Sequence, residues 1–244
     1  MNIFDSWIVK TPVAHRGLHD KNTPELSLDS FKKAIDAGFA IEIDVRSLKD
    51  GTIVCFHDET LGRMTGHDGF ISNCNFSDIS ELKLLKTNEH IPTLKEALKF
   101  IDGKVPVLID IKNMKKIDFE KNIWKELKGY KGEYAVQSFN PKSLEWFKLN
   151  APQVKRGQIA SFMKNDENLS FWERFSLKRM MYNKKVSEPN FINYALCDLP
   201  NRFVRKYKKQ GLPLVCYTVR NEEDLAKAKK VADNFVFENV NIEL

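Results

Sequence analysis

The sequence has no run of about eighteen uninterrupted apolar residues, so no membrane-spanning helix is expected. Its start, MNIFDSWIVKTP, lacks the basic end and long apolar stretch of a secretory signal, which points to a cytoplasmic protein. The four cysteines, Cys55, Cys74, Cys197 and Cys216, are scattered with no C-x-x-C pair. That spacing argues against a zinc site, and in the cytoplasm these residues are expected as reduced thiols. No internal repeat, low-complexity tract or linker divides the 244 residues, so one domain, 1–244, is expected. Nucleic-acid binding is not expected either, because no binding motif accompanies the formal net charge of +6. The densest basic patch, Lys178 to Lys185, follows Phe171, Trp172 and Phe175. A membrane-surface helix has this composition, but an amphipathic helix with a solvated face has it too, and that reading is favoured.

What is present is an alternation. Short apolar, β-rich runs recur at Val13-Ala14-His15, Ile41 to Val45, Val105 to Ile111, Tyr134 to Phe139, Arg156 to Ala160, Phe191 to Ala195, Leu214 to Val219 and Asn234 to Phe237. Their near-continuous hydrophobicity suits a parallel sheet covered on both faces. Between them lie helices with legible ends. Thr93-Leu94-Lys95-Glu96 has the pattern of a capping box, Asn140 precedes Pro141, and Asn221 opens a further helix. Gly38, Gly129 and Gly211 stand where left-handed caps are expected.

One connection is different. Ile41 to Leu48 meets Thr52 to His57 across Lys49-Asp50-Gly51, a tight-turn signal that makes the second run antiparallel. Setting it aside leaves eight parallel strands. The expected fold class is α/β: a (β/α)8 TIM-type barrel with a β-hairpin excursion after the second strand. The runner-up is an open doubly wound sheet, which no Gly-rich phosphate loop after the first strand supports.

Polar residues interrupting apolar strands carry the chemistry. Glu42 and Asp44 in Ile-Glu-Ile-Asp-Val share one strand face, and Asp110 and Lys112 repeat the spacing on a later strand. Carboxylates converging at strand C-terminal ends repel one another unless a cation neutralises them, and oxygen ligands suit Mg2+ or Ca2+. Separate strand-end ion pairs are the bland alternative, which two such pairs together outweigh. His15-Arg16-Gly17 ends the first strand and His57-Asp58 ends the hairpin. Two imidazoles beside a metal site can serve as acid and base, and Arg16 and Lys112 offer positive charge to a phosphoryl group. Gly17 lets the backbone turn closely past a ligand. His19, His67 and His90 are expected on the surface.

Ala-His-Arg-Gly, Pro24-Glu25, Ile-Glu-Ile-Asp-Val, Lys-Asp-Gly, Phe-His-Asp-Glu-Thr-Leu-Gly-Arg and Ile-Pro-Thr-Leu, in that order, resemble the glycerophosphodiester phosphodiesterases. Gln137-Ser138-Phe139-Asn140 and Tyr217-Thr218-Val219 extend the resemblance over most of the chain. It implies a TIM-type barrel acting on a small glycerophosphodiester, with a divalent cation, Mg2+ or Ca2+, on Glu42, Asp44 and Asp110. It further implies His15 and His57 as the acid/base pair, and Arg16 and Lys112 as phosphate contacts. Four positions depart from the family pattern: Leu26 replaces an asparagine, Asp110 a glutamate, Tyr217 a tryptophan, and Phe237-Glu238 a Thr-Asp pair. Two rival expectations remain: a lysophospholipase D-type activity served by Phe171 to Lys185, and a catalytically silent barrel that binds phosphorylated metabolites.

Overall fold

A computed structural model of the chain describes residues 2–112, 114, 116–162 and 186–243. The basic, aromatic segment from Phe171 to Lys185, with the helix expected there, lies outside the described residues. The first half of the chain holds α1 (Trp7–Lys10), β1 (Val13–Ala14), α2 (Leu28–Asp36), β2 (Ala40–Ser47), β3 (Ile53–Cys55), α3 (Gly62–Thr65), α4 (Phe76–Ile79), α5 (Leu94–Ile101), β4 (Val107–Ile111) and α6 (Phe119–Leu127). The second half holds β5 (Tyr134–Ser138), α7 (Pro141–Asn150), β6 (Lys155–Ala160), β7 (Phe191–Ala195), α8 (Arg202–Lys208), β8 (Leu214–Val219), α9 (Glu222–Val231) and β9 (Asn234–Phe237). With β3 set aside, eight strands remain, with helices in the described connections from β1 to β6 and from β7 to β9: the fold is a (β/α)8 TIM-type barrel with the expected hairpin after β2. Among the described residues no helix is long and apolar enough to cross a membrane.

The chain divides into two compact units, one of residues 14–134 and one of residues 1–13 with 135–244. In the first, β2 runs parallel to β4 with Asp44 opposite Asp110, and antiparallel to β3 with Val45 opposite Cys55. Gly51, at φ +87°, makes the turn between β2 and β3. The excursion is larger than a hairpin. Leu48, Val54, Phe56, Leu61, Met64, Ile71, Ile79, Leu84 and Ile91 form a buried apolar cluster of their own. That cluster gives the segment leading into and out of His57 a packed base.

In the second unit, β5, β6, β7, β8 and β9 pair in sequence order, each parallel to the next. All five residues of β7 are buried, as two covered faces require. Helix ends follow the residues expected of them. Thr93 and Glu96 close a reciprocal capping box on α5, Asn140 accepts from the Lys142 N–H, and Asn221 accepts from the Asp224 N–H. Gly38 and Gly211 are left-handed at φ +74° and +82°. Gly129 is not among the left-handed residues, contrary to expectation. After α6 the Tyr130 N–H bonds back to the Leu127 carbonyl, so the chain leaves the helix by a tight turn that asks nothing of a glycine.

Candidate active site

All seven residues singled out from the sequence lie in the unit of residues 14–134. Strand periodicity places Glu42 and Asp44 on one face of β2, and the parallel register sets Asp110 beside Asp44. One carboxylate oxygen from each of the three lies within 4.8 Å of the others. They are 2%, 1% and 6% exposed. Asp110, a methylene shorter than glutamate, therefore still brings its oxygen into the group.

Two cations reach these acids. Lys112 Nζ lies 2.5 Å from Asp44 Oδ1 and 2.9 Å from Asp110 Oδ2, and Arg16 Nε lies 3.1 Å from Asp44 Oδ2. The Asp44 contacts are ion pairs without hydrogen-bond alignment. Both Asp44 oxygens and Asp110 Oδ1 are shielded from solvent and accept no aligned hydrogen bond. Burial and the charges of Asp44 and Asp110 push the Glu42 carboxyl well above its usual range. Burial, with Asp44 beside it, also raises Asp110, although Lys112 pulls the other way. Asp44 alone goes down: burial opposes ionisation, but Lys112, His57, Arg16 and His15 outweigh it. Three carboxylates against two cations leave excess negative charge in a site shut off from water. An oxygen-only donor set of three buried carboxylates fits a hard divalent cation.

Both histidines come to this group. His15 and His57 lie within electrostatic reach of Asp44, and His15 also of Asp110. His57 Nδ1 is 2.8 Å from Asp58 Oδ1. A carboxylate at Nδ1 holds the proton there and leaves Nε2 as the ring's acceptor. Burial pushes the His57 imidazole below its ordinary value, against the pull of Asp44, so the neutral form predominates at pH 7.

Several partners were not legible from the sequence. Arg63 bonds Asp58 through Nε at 2.5 Å and Glu25 Oε1 through Nη2 at 2.5 Å, and Glu25 Oε1 in turn accepts from Arg16 Nη1 at 3.0 Å. A chain thus runs from the His57–Asp58 hydrogen bond through ion pairs of Asp58, Arg63, Glu25 and Arg16 to Asp44. Glu25 is more than a helix-start acid. The α2 cap is Ser27, whose Oγ accepts from the Ser30 N–H. Arg16 itself is left-handed at φ +58°, its N–H donating to Glu42 Oε2 at 3.0 Å and its carbonyl accepting from Leu26 at 2.9 Å. Gly17 admits the close approach of α2: a Cβ there would lie 2.4 Å from Ser30 Oγ. His19, expected on the surface, is half-buried, with Nε2 shielded from solvent. Motif spacing carried no sign of these contacts, because they join loops that only folding brings together.

The family profile described as "Glycerophosphoryl diester phosphodiesterase family" matches residues 15–237. The chain belongs to that family, and it is a phosphoric diester hydrolase of the glycerophosphodiester phosphodiesterase type. A glycerophosphodiester phosphodiesterase of Caldanaerobacter subterraneus is 32% identical over 232 residues, 89% of each chain. Another from Bacillus subtilis is 28% identical and spans 93% of this chain and 82% of its own. Among solved structures, the glycerophosphodiester phosphodiesterase of Thermotoga maritima superposes with a TM-score of 0.72 at 26% identity, covering 93% of this chain and 94% of its own. An Oleispira antarctica phosphodiesterase in complex with sn-glycerol-3-phosphate has a TM-score of 0.78 at 24% identity, covers 95% and 94% of the two chains, and shares the fold.

Proposed function

We propose that the chain, acting as one domain of residues 1–244, hydrolyses small glycerophosphodiesters to glycerol 3-phosphate and an alcohol. Glu42, Asp44 and Asp110 would hold a divalent cation, Mg2+ or Ca2+, and His15 and His57 would transfer the protons. The observation that carries this reading is the buried group of three carboxylates within 4.8 Å, with both imidazoles in electrostatic reach of Asp44. When bound, the cation supplies Lewis-acid stabilisation of charge on the phosphoryl oxygens.

The chain's own residues do the rest. One imidazole takes a proton from the attacking hydroxyl while the other gives one to the departing alkoxide. The new bond is oxygen to phosphorus, the broken one phosphorus to the alcohol oxygen. Net, water is consumed and no proton is gained or lost by the histidines over the pair of steps. Asp58 fixes the ring of His57, and Arg16 and Lys112 offer charge to the phosphate oxygens. A cytoplasmic setting is part of the same reading, and the four free cysteines support it. The test is a panel of glycerophosphodiesters assayed with a chelator and with Mg2+ or Ca2+ restored. Loss and rescue of turnover are expected; near-normal turnover by His15→Ala and His57→Ala enzymes overturns the proton-transfer roles.

A further inference from the structure

Glu42 and Asp44 have a third member in their row. Arg46 is two residues further along β2, on the same strand face, and only 8% exposed. Its Nε donates to the His57 backbone carbonyl at 2.8 Å. Of the charges that act on it, Glu59 acts most strongly, followed by Asp44, Asp58 and Asp110. The same guanidinium lines a cavity of about 260 Å3 whose other walls are Glu59, Phe70, Ile71, Ser72, Met114 and Lys116. Those walls are tied in place: Lys116 Nζ donates to the Ser72 carbonyl at 2.8 Å, and the Ser47 N–H points at Met114 Sδ at 3.3 Å. A buried cation therefore touches the backbone of a proposed proton-transfer residue on one side and a cavity on the other.

We propose that this cavity is the subsite for the alcohol that leaves the phosphodiester, and that Arg46 is a positioning residue that fixes His57 beside it. The inference rests on the reaction proposed above. The chemistry of the walls favours an uncharged polyol. Among the described residues of the wall, two cations, one carboxylate and a hydroxyl supply donors and acceptors for several alcohol groups, while their net positive charge and single aromatic ring disfavour a quaternary ammonium. A cavity of about 260 Å3 is of a size that suits a head group.

The experiment is steady-state kinetics in saturating divalent cation on glycerophosphoinositol and glycerophosphocholine, with the native enzyme, Lys116→Met, Arg46→Met and Arg46→Lys. Lys116→Met is expected to raise KM for glycerophosphoinositol about tenfold, the loss of one charged hydrogen bond, and to leave glycerophosphocholine within about twofold. Arg46→Met is expected to lower kcat on both substrates by about 10²-fold with little change in KM, and Arg46→Lys to recover part of it. Equal shifts of both substrates by Lys116→Met, or no shift, overturn the subsite. Native kcat in Arg46→Met overturns the positioning role. Should Arg46→Met fail to fold, Arg46→Lys at native kcat with Lys116→Met unselective overturns both. A native enzyme inert on both diesters would instead overturn the underlying reaction.

Discussion

In residues 135–244 the buried polar side chains of the strands are mostly amides and hydroxyls, and they largely satisfy one another. Asn193 Nδ2 donates to Gln137 Oε1 at 2.9 Å, Gln158 Nε2 donates to the Ser138 carbonyl at 3.1 Å, and Ser187 Oγ donates to Gln158 Oε1 at 3.0 Å. In residues 14–134 the buried strand polars are Glu42, Asp44, Arg46, Ser47 and Asp110, with three carboxylate oxygens accepting no aligned hydrogen bond. Among the described residues, Asn193 Oδ1 is the one such buried atom in the strands of the amide unit. Neutral amides cost little once paired, so that interior is explained by stability. Buried carboxylates facing one another raise the energy of the fold unless a bound cation offsets their repulsion, which is the reading proposed above.

The largest expected effect breaks the charged side of that contrast. Asp44→Asn and Asp110→Asn should each lower kcat/KM by about 10³-fold, several kcal/mol of lost transition-state stabilisation, in turnover assays at saturating cation. Glu42→Gln should lose activity as well, yet raise the melting temperature in chelator by a few degrees, because burial first, and then the charges of Asp44 and Asp110, penalise the ionised carboxylate. Added Mg2+ or Ca2+ should stabilise the native enzyme by about 2.7 kcal/mol at a hundredfold excess over Kd, and leave Asp44→Asn unmoved.

Next comes the amide side. Gln137→Leu leaves Asn193 Nδ2 with no partner and should cost about 1–3 kcal/mol in denaturant unfolding. An equal loss of cation-dependent stabilisation in this variant would erase the distinction between the two units.

Much of this contrast was open to reading in the sequence, and the reason is periodicity. On a strand, i and i+2 share a face whatever the tertiary fold, so Glu42 with Asp44 and Asp110 with Lys112 declared themselves. The eight runs were placed to within about two residues because burial on both faces leaves a plain apolar signature. Arg46 obeys the same i+2 rule and was passed over, since a cation at a strand end is ordinarily solvated. Glu25 and Arg63 both stood in motifs of the family resemblance, but nothing in those motifs said that the two side chains meet. They are 38 positions apart and meet only because the excursion packs into its own core.

A smaller effect sharpens the role of that link. Burial raises the Asp58 carboxyl, but the hydrogen bonds from Arg63 and His57 outweigh it and bring it down to about 2. A depressed carboxylate stabilises the fold above its unfolded pKa, and that contribution disappears as pH falls through the folded value. Arg63→Ala should therefore move the acid-unfolding midpoint up by a few tenths of a pH unit, read by circular dichroism between pH 5 and about 2. Arg63 is 47% exposed, which screens the pair and keeps the effect modest.

The last effect concerns Leu26, which stands where the family pattern has asparagine. Its φ is +57°, a left-handed conformation that costs a leucine about 1–2 kcal/mol and that asparagine tolerates well. Yet Leu26 is only 2% exposed, and burial of such a side chain contributes about 1.5–3 kcal/mol. The two terms nearly cancel, with burial ahead. Leu26→Asn should lower stability by about 1 kcal/mol, whereas Leu26→Ala, which keeps the strain and loses the packing, should cost about 2 kcal/mol or more. Chemical denaturation of the two variants checks the order. If Leu26→Asn proved the more stable enzyme, backbone strain rather than packing would govern this turn, and through the Leu26 N–H to Arg16 carbonyl bond it would bear on Arg16 and its pair with Asp44.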